Sequence, residues 1–137
     1  MADAREIARR YIDEVWNQGK SSAVDQIVAA NVVGHVGGKE IRGAETIRQR
    51  LSNLRGAFSD VRFTVEDTVA EGDKVVVRWT FRGRNTGAYM GAKATGKAVN
   101  ITGMNLFRIA GGKIQELWVE ADDLGELRQL GLVKEPK

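Results

Sequence analysis

A chain of 137 residues that is 42% hydrophobic and 28% charged has the balance of one folded domain, not that of a disordered or fibrous chain. Its net charge is only +3, from 21 basic and 18 acidic residues mixed along the sequence, so the basic pI implies a solvated mixed surface and no nucleic-acid partner. The absence of cysteine excludes disulfides, thiolate nucleophiles and Cys-type zinc sites, and no apolar run is long enough to span a bilayer. The opening residues Met1 to Glu6 lack the apolar core of a signal peptide, so a cytoplasmic location without a membrane partner is expected.

The first third reads as helices. Ala4, Ile7, Ala8, Tyr11, Ile12, Val15 and Trp16 recur at three- and four-residue spacing, with Gly19 as the stop. Ser22-Ala23-Val24-Asp25 reads as a capping box opening a short helix with Ile27 and Val28 inward. Asn31 to Arg42 is a Gly-rich connection or short strand, and a third helix starts near Gly43 with Ile47, Leu51 and Leu54 on one face.

Strands take over from Val61. Phe63, Val65 and Val69 alternate with Arg62, Thr64 and Glu66; Glu71 to Lys74 makes a turn, and Val75, Val77, Trp79 and Phe81 carry the return. After a Gly/Ala-rich loop from Thr86 to Lys97 come strands over Val99–Ile109 and Ile114–Ala121, then a short amphipathic helix. This order predicts one α+β domain over residues 1–133, with helices on one face of a curved, mostly antiparallel sheet. Residues 134–137, which include the lone proline Pro136, are expected to fray.

Few side chains offer chemistry. Asp122 ends a strand in which Trp118, Glu120 and Asp122 share one face. Facing an apolar pocket beside Trp118, its carboxylate would act as a general base; facing outward, it would cap the helix that follows. His35, the only histidine, sits among Val32, Val33 and Val36, and either donates to a substrate oxygen or serves structure. Asn105 is a neutral polar residue amid Met104, Leu106 and Phe107, and a half-buried amide needs a partner in either a ligand or the backbone. Trp16, Trp79, Tyr89 and Met90 suit both core and pocket wall, and Glu120 is either a solvated strand residue or a pocket carboxylate.

Two further patterns carry less. Gly91 to Ala98 nearly spells a phosphate-binding loop, but Ala98 replaces the magnesium-holding hydroxyl and a strand follows where a helix is needed. It reads instead as a mobile loop over a pocket mouth. Arg78, Arg82 and Arg84 line one strand face, where they are solvated or pair with Glu66 across the hairpin.

In this order and spacing, several runs together resemble the SnoaL-like polyketide cyclase family, within the group sharing the cone-shaped α+β barrel of nuclear transport factor 2 and ketosteroid isomerase. They are Val15-Trp16-Asn17-Gln18-Gly19, Val32-Val33-Gly34-His35, Gly43 to Arg48, Glu71 to Trp79, Thr86 to Gly91, Ala94-Thr95-Gly96-Lys97, Phe107-Arg108-Ile109 and Trp118 to Gly131. The resemblance implies intramolecular aldol cyclisation of a polyketide ester, without metal or organic cofactor. It places the acid/base role on Asp122, at the end of the Trp-x-x-x-Asp run, and a pocket role on His35. It also implies a hydrophobic or aromatic ligand and a homodimer or tetramer. Asn85 and Asn105 stand where members often carry histidine, and Lys93-Ala94 where they carry prolines, which leaves other duties open. These are non-catalytic ligand binding, partnership in hydroxylation, and epoxide hydrolysis with Arg78 or Arg82 beside an aspartate.

Overall fold

A computed structural model describes residues 3–134, so most of the expected frayed tail, Pro136 included, lies outside the described residues. The chain opens with α1 (Ala4–Arg10), which Asp3 caps by accepting the Glu6 amide at 2.9 Å. The helix then widens into a π-helical segment, Tyr11–Asn17, where the Gln18 amide reaches back to the Asp13 carbonyl at 2.9 Å. It ends at Gly19, whose φ of +70° a Cβ-bearing residue rarely adopts.

Helix α2 (Ser21–Ile27) starts without the expected capping box. The Ala23 amide is already held by the Lys20 carbonyl, so Ser22 lies inside the first turn, and Asp25 takes the guanidinium of Arg48 instead. Asn31 to Arg42 resolves into strand: β1 (Val28–Val36) and β2 (Lys39–Arg42) form a hairpin around Gly37 and Gly38, both at positive φ. Helix α3 (Ala44–Ala57) follows, burying Ile47 and Leu51 as its spacing predicts.

Four strands and a last helix complete the chain: β3 (Phe58–Glu71), β4 (Lys74–Asn85), β5 (Ala98–Ala110), β6 (Lys113–Ala121) and α4 (Asp123–Leu130). They make one six-stranded sheet in the order β2-β1-β6-β5-β4-β3, with β1 parallel to β6 and every other neighbour antiparallel. The expected cone-shaped barrel is corrected here: the sheet is open and not strongly curled, with β2 and β3 as its edges. Closure would require β2 to pair with β3, but β2 is only four residues long. The chain between them is spent on α3, so helices cover the inner face in place of sheet closure.

Alternation then fixes the two faces of the sheet. Val75, Val77, Trp79 and Phe81 of β4 and Val99, Ile101 and Phe107 of β5 turn inward against the helices and are buried. Arg78, Arg82 and Arg84 fall on the opposite face. Arg78 pairs with Asp67, not with Glu66, whose carboxylate takes the Thr80 hydroxyl. The bulge between Val65 and Asp67 explains the shift, because it sets Asp67 opposite Arg78.

Candidate active site

Between the helices and the inner face of the sheet lies a cavity of about 280 Å³, roughly twice the volume of an engineered protein cavity that binds benzene. The π-helical segment gives it Tyr11, Ile12 and Trp16; α3 gives Ile47, Arg50 and Leu54. Phe63, Trp79, Phe81, Ile101, Leu117 and Val119 form the sheet wall. The widened helical turn matters for this arrangement. It sets Tyr11 and Trp16 edge to face at 6.3 Å, with Trp16 reaching Phe63 at 5.9 Å, so three strand and helix aromatics line one side.

On the sheet, Trp79 stands opposite Gly103, where a Cβ would overlap the indole. The glycine lets the ring lie flat across β5, and its N–H donates to the Asn105 Oδ1 at 3.0 Å. An indole nitrogen can only donate, so the Asn105 amide orientation is fixed and its NH₂ is left as a donor on a cavity-lining side chain.

The opposite polar group comes from α4 and the loop at residues 86–97. Glu126 shares the buried stripe of α4 with Leu130 and is only 6% exposed. The Tyr89 hydroxyl donates to its Oε1, and both residues line the cavity. Burial pushes the Glu126 carboxyl above the ordinary glutamate range, and the negative charge of Asp123 adds to this against the opposing Tyr89 hydrogen bond. Burial and the Glu126 carboxylate likewise raise the Tyr89 phenol, which keeps its proton.

The loop carrying Tyr89 is held by Asn85, which is fully buried. Its amide donates to the Ala57 and Gly87 carbonyls, both at 2.9 Å, and its Oδ1 accepts the Thr95 amide at 2.8 Å and hydroxyl at 3.0 Å. Asn85 therefore ties both ends of the loop to the end of α3. The Gly91–Ala98 run leads from this loop into β5 with no helix behind it.

The sequence-derived candidates separate into two groups. Asn105, Trp16, Trp79, Tyr89 and Glu120 all line the cavity. Asp122, His35, Trp118 and Met90 are not among its lining residues. Asp122 is exposed and is the N-cap of α4, its Oδ1 accepting the Gly125 amide at 2.9 Å. It follows Ala121, the last residue of β6, and its carboxylate is committed to the first turn of α4.

His35 stacks on Trp118 at 5.0 Å, and its Nε2 lies 2.7 Å from the Glu116 carboxylate. That carboxyl is held below its usual range first by His35 and then by Arg108. This cluster belongs to the outer face of the sheet, as do Arg78 and Arg82. Met90 sits at the loop tip, 72% exposed.

Sequence reading passed over Tyr11, Arg50, Asp123 and Glu126 as cavity residues. A signal was present for two of them. Arg50 falls at the i+3 position from Ile47 and i−4 from Leu54, and Glu126 at i−4 from Leu130, so each is a charge on an apolar helical stripe. Among the described residues no cluster of three or more potential metal ligands occurs, and no helix is long and apolar enough to cross a membrane.

Comparison with known proteins agrees with this architecture. The family model for SnoaL-like polyketide cyclases matches residues 6–130. The aklanonic acid methyl ester cyclase DnrD of Streptomyces peucetius is 30% identical over 135 residues, covering 96% of this chain and 92% of its own. The corresponding cyclase DauD of Streptomyces sp. (strain C5) is also 30% identical, over 96% of this chain and 83% of its own. Among solved structures, TsrD from Streptomyces laurentii superposes with a TM-score of 0.87 at 28% identity, covering 97% of this chain and 100% of its own. IdmH from Streptomyces antibioticus does so with a TM-score of 0.84 at 26% identity, covering 95% and 99%. With the family model matching residues 6–130 and a 30% identical relative covering 96% of its length, this chain belongs to the SnoaL-like polyketide cyclase family.

Proposed function

We propose that the chain is a polyketide cyclase-type enzyme that performs acid–base catalysis in the cavity, with Glu126 as the proton-transferring carboxylate. The observation that carries this reading is a buried glutamate, bonded to the Tyr89 hydroxyl, in a cavity otherwise walled largely by aromatic and aliphatic side chains. Burial raises its proton affinity toward that needed to take a proton from carbon next to a carbonyl. Ketosteroid isomerase tunes its carboxyls on the same physical ground, by holding them in an apolar site.

In the proposed reaction Glu126 removes an α-proton from a keto ester, and conjugation through the substrate spreads the enolate charge. The enolate carbon then bonds to a carbonyl carbon of the same molecule. The alkoxide formed recovers the proton from the Glu126 carboxyl, so the product is an isomer of the substrate and no metal or organic cofactor is needed for the balance. In this reading the Asn105 NH₂ donates to a substrate oxygen, supported by its cavity-lining position and by the Trp79 bond to its Oδ1. The family resemblance gives the base role to Asp122; the capping bond of Asp122 and its place outside the cavity lining favour Glu126.

A homodimer through the outer face of the sheet is part of the same proposal. Val69, Val76, Leu106, Trp118 and His35 form one continuous cross-strand row there, supported by the register of β3, β4, β5, β6 and β1. The test of the catalytic reading is incubation with aklanonic acid methyl ester, the substrate named for DnrD, followed chromatographically for an isomeric product. Turnover by the wild type and its loss in Glu126→Gln is the expected result. Unchanged substrate that nevertheless raises the melting temperature would instead make the chain a non-catalytic binder.

A further inference from the structure

We propose that Arg50 is a specificity residue that binds an anionic oxygen of the substrate, so that the ligand class is ring-bearing compounds, keto esters included, that carry an ionised oxygen as a carboxylate or an ionised 1,3-dicarbonyl, in preference to analogues that carry none. The inference rests on the cavity being the site of the proposed function, but not on which group is the base.

Arg50 lies on α3 between Ile47 and Leu54, and all three line the cavity. It is the only basic residue lining it among the described residues. The other arginines near it are engaged: Arg48 pairs with Asp25 and Glu45, and Arg55 donates to the Trp16 and Asn17 carbonyls. Among the described residues Arg50 makes neither an ion pair nor a hydrogen bond. A guanidinium beside apolar walls, with its fork unoccupied, is suited to a planar, delocalised anion.

Its surroundings reinforce that polarity. Burial pushes the Tyr11 phenol up to about 12, against the pull of Trp16 and Arg50, so Tyr11 keeps a proton to donate. Arg50 also acts on the Tyr89 phenol, whereas the charge acting on Glu126 is that of Asp123. The cavity thus carries donors around Arg50 and, among its three lining carboxyls, two exposed ones at Glu120 and Asp123 and one buried at Glu126. A substrate anchored by an anionic oxygen at Arg50 would present its acidic carbon toward the buried carboxyl.

The experiment is a titration of the full chain with 2-naphthoate, its methyl ester and the acetylindandione anion, in the wild type and in Arg50→Gln, Arg50→Lys and Glu126→Gln. The wild type is expected to bind 2-naphthoate or the acetylindandione anion roughly tenfold more tightly than the neutral ester, as befits one charge-assisted, partly buried pair. Which anion is favoured separates the two sources. Arg50→Gln should abolish the preference while leaving the ester affinity unchanged, which also shows the cavity intact. Arg50→Lys should keep part of it, because an ammonium lacks the planar fork. Glu126→Gln should retain it, so a failure of the catalytic reading leaves this outcome readable. Equal binding of anions and ester by the wild type, or an anion preference that survives in Arg50→Gln, would overturn the proposal.

Discussion

The Tyr89 hydroxyl donates to the Glu126 carboxylate across the junction between the 86–97 loop and α4, and both side chains face the same cavity. The bond joins a loop residue to a helix residue, so proton affinity at Glu126 and closure of the loop are physically linked. Because burial raises the Glu126 carboxyl, the folded chain holds that proton above the pH at which the unfolded chain releases it. The stabilisation is full below the ordinary glutamate range and is lost as pH rises through the raised value. Denaturant melts across this window should show stability falling with pH in the wild type and a flatter profile in Glu126→Gln. For turnover, the acidic limb of kcat/KM should lie above the ordinary glutamate range. Tyr89→Phe, which removes a bond that favours the ionised carboxylate, should move it higher still.

Asp122 and Glu126 make opposite predictions. Loss of the Asp122 cap in Asp122→Ala should cost about 1 kcal/mol of stability, and Asp122→Asn, a comparable cap, only a few tenths. Both variants should retain turnover once folded. Thermal melts and assays on the two proteins check this, and an inactive, fully stable Asp122→Asn would return the base role to Asp122.

The loop depends on one amide. Asn85 makes four hydrogen bonds, to Ala57, Gly87 and Thr95, from a fully buried position. Asn85→Ala strands the Ala57 and Gly87 carbonyls and the Thr95 donors, at a cost of about 2–4 kcal/mol. Hydrogen exchange should speed up first at Thr95, whose amide proton is held by Asn85 Oδ1. Ligand affinity should fall with it, because Tyr89 is positioned by the same loop.

These relationships mark where sequence reading succeeds and stops. The order of helices and strands was legible because alternation in β4 and β5 and the stripe on α3 are local patterns. Closure of the sheet was not, since pairing of β2 with β3 is a non-local matter that the brevity of β2 and the route through α3 decide. The π-helical widening was hidden for another reason: Tyr11, Ile12, Val15 and Trp16 satisfy the ordinary helical spacing as well. In the site, Trp16, Trp79 and Asn105 were legible as large or polar residues on buried faces. An aspartate at a strand end suits two duties, pocket base and helix cap, and what favours the cap at Asp122 is its bond to the Gly125 amide, which local sequence does not reveal. Asn85 resembled a lost histidine in sequence, yet its amide meets donors and acceptors that only the folded loop brings together.

The outer face of the sheet supplies the last prediction. Val76, Leu106 and Trp118 lie opposite one another on β4, β5 and β6, each half-buried without helical cover, and the row extends to Val69, which is 64% exposed, on β3. Met104, 49% exposed, flanks it. An apolar strip across adjacent strands, bordered by Arg78, Arg108 and Glu116, is suited to self-association, because a two-fold axis through it sets the same apolar row against itself. Sedimentation at micromolar concentration should therefore give a dimer. Leu106→Glu places a carboxylate at the centre of the strip and should yield a monomer whose cavity still binds ligand, since the inner face is untouched. A wild-type monomer, or a Leu106→Glu dimer of unchanged affinity, would remove the outer face as the interface.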